Sequence, residues 1–203
     1  MEINIKDIPV LWTSCEKESL KARNEQMKNL MVSLGFNAQR ISGPMTTPYT
    51  IGVAQGYLMM LRSHKAPFLS FEDDARLCPS TAIEYKLQVP DDADAVYLGT
   101  STFGRIKKQS LPNGAICANY DHRYLRSFNM LGFHSILYIN QEYVDACVYY
   151  LQQWIKNGAI GGCDDPIAER MHTHKVYCLR KPWFFQDDGH SNQVTLQPVD
   201  PLL

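Results

Sequence analysis

The sequence predicts an α/β fold: a mostly parallel central sheet with an antiparallel addition and helices on both faces. Three observations predict it. Short apolar runs alternate with segments of helical spacing through the first half of the chain. The run at 66–71, APFLSF, is apolar almost throughout, as expected of a strand covered on both sides. The second half is more mixed in pattern, which calls for at least one antiparallel strand. A length of 203 residues fits one domain, assigned to 1–193, followed by a polar, proline-marked tail at 194–203.

Residues 8–13 read as a short buried strand that stops at the polar turn Ser14-Cys15-Glu16. Apolar side chains at 20, 27, 30, 31 and 34 have the spacing of one helix face, and Gly35 follows as the C-cap. A second strand covers 36–41 and closes at Ser42-Gly43-Pro44. The segment 51–62 is helical again. Its glycines, Gly52 and Gly56, cost helix propensity, which predicts close packing against another element. The strand at 66–71 ends abruptly at Glu72-Asp73-Asp74. A short strand at 95–98 precedes an irregular stretch in which 115–126 has the pattern of a hairpin. A strand at 131–139 and a helix at 141–154 follow, the helix with apolar residues at 144, 147, 148, 151 and 154. A shorter helix at 166–171 is entered through Cys163-Asp164-Asp165, and 176–179 and 183–185 read as late strands.

Composition excludes several classes. A formal net charge of −1 and a pI near 6.6 provide no global field for nucleic acid or anionic membrane. The small basic clusters, Arg105, Lys107, Lys108 and His122, Arg123, Arg126, read as solvated surface. Six scattered cysteines without a C-x-x-C pair predict neither a disulfide framework nor structural zinc, and point to a cytoplasmic setting, the host's cytoplasm for a viral protein. The N-terminal stretch lacks the apolar core of a signal peptide, and no run approaches the roughly twenty apolar residues of a membrane span. The P-loop, the G-x-G-x-x-G turn and the G-x-S-x-G elbow do not occur. His172 and His174, two apart, cannot share a helix face as a zinc pair.

The most informative tripeptide is Glu72-Asp73-Asp74. Three successive carboxylates repel one another, so their position directly after a buried strand is costly unless a cation joins them. Ligands of open α/β sheets bind beyond the carboxyl ends of the strands, where this cluster falls. With strand geometry continued, Glu72 and Asp74 would share one side, an oxygen-rich grip for Mg²⁺ or Mn²⁺ on a diphosphate. The competing reading is an acidic turn that caps the next helix.

Further residues join this motif in order along the chain. Val10-Leu11, Arg23, Leu34-Gly35 and Arg40-Ile41 precede a glycine-led helix at 52–62 and the apolar strand 68–71. Then come Glu72-Asp73-Asp74-Ala75 and, late in the chain, Gln186 with Ser191-Asn192. This succession resembles glycosyltransferase family 25, the lipopolysaccharide-type glycosyltransferases. The match covers most of the chain, and E-D-D-A is its tight part. The family's Gly-Cys…Ser-His pair is replaced here by Gly52-Val53 and Gly56-Tyr57.

The resemblance implies a GT-A-like, Rossmann-related fold and a metal-dependent transfer of a sugar from a nucleotide-sugar donor, UDP-hexose by default. It implies that Glu72 and Asp74 hold the divalent cation, Mn²⁺ or Mg²⁺, and that Asp73 contacts the donor. Thr13 and Ser14 would border the nucleotide, and Arg23 or Arg40 would reach its base or phosphates; for Arg40 a solvated strand end competes. His190, or Asp188, would complete the metal shell. Asp165, and second Asp164, would be the general base of an inverting transfer, although Asp165 also suits the N-cap of a helix opening at Pro166. The resemblance suggests a lipopolysaccharide or capsule sugar as acceptor; a chain this compact would also suit a phage or virus that decorates a protein, a glycan or a modified base, with DNA disfavoured by the near-neutral charge. A non-catalytic nucleotide-sugar-binding module and a metal-dependent phosphoryl hydrolase are the alternatives.

Overall fold

A computed structural model describes residues 1–187 apart from Glu16 and Ser80, and apart from the side chain of Glu18. Along the chain run β1 (Glu2–Asn4), β2 (Val10–Cys15), α1 (Lys21–Ser33), β3 (Ala38–Gly43), α2 (Tyr49–Ser63), β4 (Phe68–Glu72) and β5 (Ala75–Leu77). Next come β6 (Lys86–Gln88), β7 (Ala95–Tyr97), β8 (Gly104–Ile106), β9 (Gln109–Leu111), β10 (Cys117–Asn119) and β11 (Tyr124–Ser127). β12 (Ser135–Tyr138), α3 (Gln141–Lys156), α4 (Asp165–Ala168), β13 (Val176–Leu179) and β14 (Phe184–Gln186) complete the order.

Local signals set several of these boundaries. Gly35 ends α1 in the left-handed region at φ +66°, which a residue without Cβ adopts at no steric cost. Asn140 caps α3 by accepting a hydrogen bond from the Glu142 backbone at 3.0 Å. Gly52 and Gly56 do mark close packing. A Cβ on Gly52 would lie 2.5 Å from the Pro44 carbonyl, and one on Gly56 3.0 Å from Thr13 Oγ1 and 3.1 Å from the Gly43 Cα. Helix α2 is thereby seated directly against β2 and the end of β3.

One eight-stranded sheet runs in the order β10-β11-β13-β7-β12-β4-β2-β3. The α/β class agrees with the sequence, but the expectation of a mostly parallel sheet needs correction. Only β13–β7, β4–β2 and β2–β3 are parallel, three of its seven pairings. β12 is inserted antiparallel between β4 and β7, and the β10–β11 hairpin is laid antiparallel against β13. β12 is buried at all four positions, so its apolar run carries no sign of its direction.

Alternate residues of each strand face opposite cores. Leu11, Phe68, Tyr97, Ile136 and Val176 pack under α2 and α3 on one face. Trp12, Leu69, Val96, Leu137 and Tyr177 pack on the other with Met27 and Met31 of α1. Helices therefore cover both faces. Two further expected elements are shorter than predicted. The strand expected at 131–139 is confined to Ser135–Tyr138, because Gly132 at φ +98° breaks the extended run. The helix expected at 166–171 is one turn, Asp165–Ala168, followed by a 3-10 turn at Met171–Thr173. Among the described residues no helix is long and apolar enough to cross a membrane.

Candidate functional site

Strands β2 and β4 are parallel neighbours with Thr13 opposite Glu72, so their carboxyl ends open on the same edge of the sheet. A cleft of about 200 Å³ lies there. Thr13, Ser14 and Cys15 from β2, Arg23 from α1, and Glu72, Asp73 and Asp74 line one side. Tyr49, Gly52, Val53 and Gly56 of α2 line the other. The cleft thus brings together Thr13, Ser14, Arg23, Glu72, Asp73 and Asp74, six residues singled out in the sequence. Arg40 stands behind its wall, donating from Nε to Ser14 Oγ at 2.8 Å while its guanidinium lies 5.4 Å over the Trp12 ring.

The acidic tripeptide does not continue as a strand. β4 ends at Glu72, and a turn swings both aspartates toward α1. Arg23 Nη2 lies 2.5 Å from Asp74 Oδ2 and 3.4 Å from Asp73 Oδ1. The expected pairing of Glu72 with Asp74 on one side, with Asp73 opposite, is therefore replaced by Asp73 and Asp74 sharing one guanidinium. Burial pushes the Glu72 carboxyl well above the usual carboxylate range, and the charges of Asp74, Asp164 and Asp73 push the same way. Burial also raises Asp73 to about 6, against the pull of Arg23. Burial opposes the charge on Arg23, but Asp74 and Asp73 outweigh it and hold the guanidinium above its ordinary value.

A smaller chamber lies on the far side of Asp74. Thr100, Ser101, Thr102, Phe103, His134 and Gln186 are among its lining residues. Gln186 forms the partition, donating from Nε2 to Asp74 Oδ2 at 3.1 Å. β14 brings it there by pairing antiparallel with β5, immediately after the acidic turn. His134 is 1% exposed, and neither of its ring nitrogens has a partner among the described residues. Burial pushes its imidazole down to about 4, although the Asp74 charge opposes the shift.

The two aspartates before α4 have separate surroundings. Asp165 is buried and fully engaged. Arg105 Nη1 lies 3.1 Å from its Oδ2, Gly162 N donates to the same oxygen at 2.9 Å, and Ser110 Oγ donates to Oδ1 at 3.0 Å. Asp164 accepts from Gly132 N at 2.8 Å and lies close enough to Glu72 for each charge to bear on the site. Burial raises the Asp164 carboxyl, with the Gly132 hydrogen bond opposing. The loop between them is pinned from below by Tyr57, whose hydroxyl donates to the Phe133 carbonyl at 2.7 Å.

No family model and no curated protein matches the chain.

The carboxylate oxygens suit a hard divalent cation, and Asp74 Oδ1 is buried without a partner among the described residues. Among the described residues no three His, Cys, Asp or Glu side chains converge into a cage. A cation here would draw one or two ligands from Glu72 and Asp74 and the rest from phosphate and water, the usual habit of Mg²⁺. His190 and Asp188, expected to complete the metal shell, lie outside the described residues, as do Ser191 and Asn192.

The basic clusters divide: Lys107, Lys108 and His122 are exposed, as the sequence suggests, whereas two of the arginines are engaged within the fold. Arg105 joins Asp165 and Glu169, and Arg126 donates to the carbonyls of Val176 and His174. Both hold the fold together. His134 is a residue of this region that sequence reasoning missed. A lone histidine before an apolar strand carries no pattern, and its role depends on Gly99, Asp74 and Gln186, which are distant along the chain. Tyr49 was missed for the same reason.

Proposed function

We propose that the chain is a metal-dependent glycosyltransferase on a GT-A-like fold. It would move a hexose from a UDP-type nucleotide sugar to a hydroxyl of a glycan or glycoconjugate acceptor. One observation carries this reading: Thr13, Ser14 and Arg23 meet Glu72-Asp73-Asp74 in one cleft at the carboxyl ends of β2 and β4. The likeness of the sequence to glycosyltransferase family 25, centred on E-D-D-A, supports it.

In this reading the nucleotide lies along Thr13 and Ser14, with Tyr49, 47% exposed at the cleft, stacking on the base. The first turns of α2 border the same cleft, and their positive end favours phosphate. Arg23 adds a full charge. Glu72 and Asp74 would hold the divalent cation, which when bound neutralises the diphosphate leaving group.

Asp164 is the general base in this scheme. It takes the proton of the acceptor hydroxyl as that oxygen bonds to the anomeric carbon and the bond from that carbon to the diphosphate breaks, with inversion. Burial favours the protonated carboxyl, which makes the carboxylate a stronger base. Asp165, the first choice from sequence, is already committed to Arg105, Ser110 and Gly162, and serves to hold the loop.

Calorimetric titration of UDP and UDP-hexoses with Mn²⁺, with Mg²⁺ and with EDTA tests the reading on wild type and Asp74→Ala. Metal-dependent binding that disappears in the variant is expected. No nucleotide binding under any condition would overturn it in favour of a phosphoryl hydrolase or a scaffold.

A further inference from the structure

We propose that the chamber beyond Asp74, closed by His134 and walled by Thr100, Ser101, Thr102 and Gln186, is the seat of a pyranose ring. This deepens the glycosyltransferase reading, because it assigns the sugar-binding part of the same site. The starting observation is the His134 imidazole, 1% exposed, bordering the chamber, with both nitrogens unpartnered among the described residues. Buried polar atoms are almost always hydrogen-bonded, and an orphan calls for an explanation such as an absent ligand. Here two such atoms belong to one ring that borders an open chamber.

The surrounding chain is built around that ring. A Cβ on Gly99 would lie 2.3 Å from the His134 Cδ2 and Nε2 atoms, and a Cβ on Gly132 would lie 3.2 Å from Nδ1. Two glycines therefore lie close against the imidazole, where side chains would crowd it. One is held by the bridge of Gly99 to Phe184, the other by the hydrogen bond from Gly132 to Asp164.

The lining selects the class of ligand. A neutral imidazole offers one donor and one acceptor, and Thr100, Ser101, Thr102 and Gln186 add hydroxyl and amide groups of both kinds. Among the described residues no Lys or Arg lines the chamber, which does not favour phosphate as its occupant. Phe103, 48% exposed, and Phe185 contribute apolar faces. Neutral groups of both hydrogen-bonding senses beside aromatic faces fit vicinal hydroxyls and the C–H surfaces of a sugar ring. The ring could belong to the donor or to the acceptor, since the chemistry is the same.

The test follows the His134 Cε1–H resonance in the full chain labelled at histidine, assigned by its loss in His134→Asn. The probes are methyl hexosides at millimolar concentration, UDP, and UDP-glucose or UDP-galactose. The resonance is expected to move with methyl hexosides or UDP-hexose. Ser101→Ala and Thr102→Ala, at loop positions, are expected to weaken that binding roughly 3- to 10-fold, the loss of about one hydrogen bond. Displacement of the hexoside by UDP-hexose assigns the seat to the donor sugar. A hexoside response that persists with UDP-hexose bound assigns it to the acceptor. A resonance unmoved by every hexoside and UDP-hexose overturns the proposal. UDP binding with an unmoved His134 sinks the sugar seat alone, and a hexoside response without UDP binding sinks the donor reading alone.

Discussion

Arg23 Nη2 stands 2.5 Å from Asp74 Oδ2, so a guanidinium from α1 clamps the acidic turn between β4 and β5. The pair joins two elements that meet only because β2 and β4 are neighbours in the sheet. It also places a cation of the protein's own on the carboxylates assigned to the metal and the donor.

Arg23→Met keeps the length of the side chain and removes this charge. In metal-free buffer the variant should lose about 2 kcal/mol, or roughly 4–8 °C in melting temperature, because Asp73 and Asp74 then repel without compensation. Added Mn²⁺ should restore a larger share in the variant than it adds to wild type. Calorimetry should show UDP affinity reduced at least about tenfold, as the phosphates lose a cation. Equal metal effects on both proteins would refute the compensation.

Asp164→Asn and Asp165→Asn should fail in different ways. The first should retain its melting temperature and UDP affinity, yet lose about 10²–10⁴-fold in transfer rate, the range of a missing general base. The second breaks the buried contact with Arg105 and should cost about 3–5 kcal/mol. Thermal unfolding beside a coupled assay of UDP release separates the two. Undiminished transfer by Asp164→Asn would sink its role as base.

His134 makes stability depend on acid. Its folded-state value, about 4, lies below the ordinary 6.5, so folding favours the neutral ring. That contribution is fully present above 6.5 and is lost as the pH falls through about 4, on the order of 3 kcal/mol in all. Glu72, Asp73 and Asp164 are shifted upward and act in the opposite sense, in wild type and variant alike. Denaturant titrations of wild type minus His134→Gln between pH 4 and 7 should isolate the histidine. A difference flat in pH would refute this.

Gly56→Ala should disturb the cleft through packing alone. The new methyl would meet Thr13 Oγ1 at 3.0 Å and the Gly43 Cα at 3.1 Å, so the contact of α2 with β2 and β3 must give by a few tenths of an ångström. The expected cost is about 1–3 kcal/mol of stability. A drop in UDP affinity should accompany it, since Thr13 and Gly56 both line the cleft. Unchanged affinity with lowered stability would separate the packing from the site.

The sequence by itself determined much of the first half of the protein. The α1 segment with Gly35, the glycine pair of α2 and the apolar run into Glu72 are local signals, set by periodicity, by a left-handed backbone and by a missing Cβ. They were enough to locate the acidic turn at the carboxyl end of a buried strand; Thr13, Ser14 and Arg23 joined it only through the resemblance to glycosyltransferase family 25. Strand direction was not legible, because the fully buried β12 reads the same whether parallel or antiparallel. The β8–β9 hairpin was missed too. Its turn residues Lys107 and Lys108 sit at φ +48° and +64°, where glycine or asparagine is the usual signal. Only the tertiary structure decided that Asp165 is spent on Arg105 while Asp164 faces Glu72, that both aspartates of the acidic turn share Arg23, and that His134 lies beside Asp74 and Gln186. Those relations join residues tens to more than a hundred positions apart. They arise from how the sheet orders its strands and how buried charges find partners, and no local pattern encodes them.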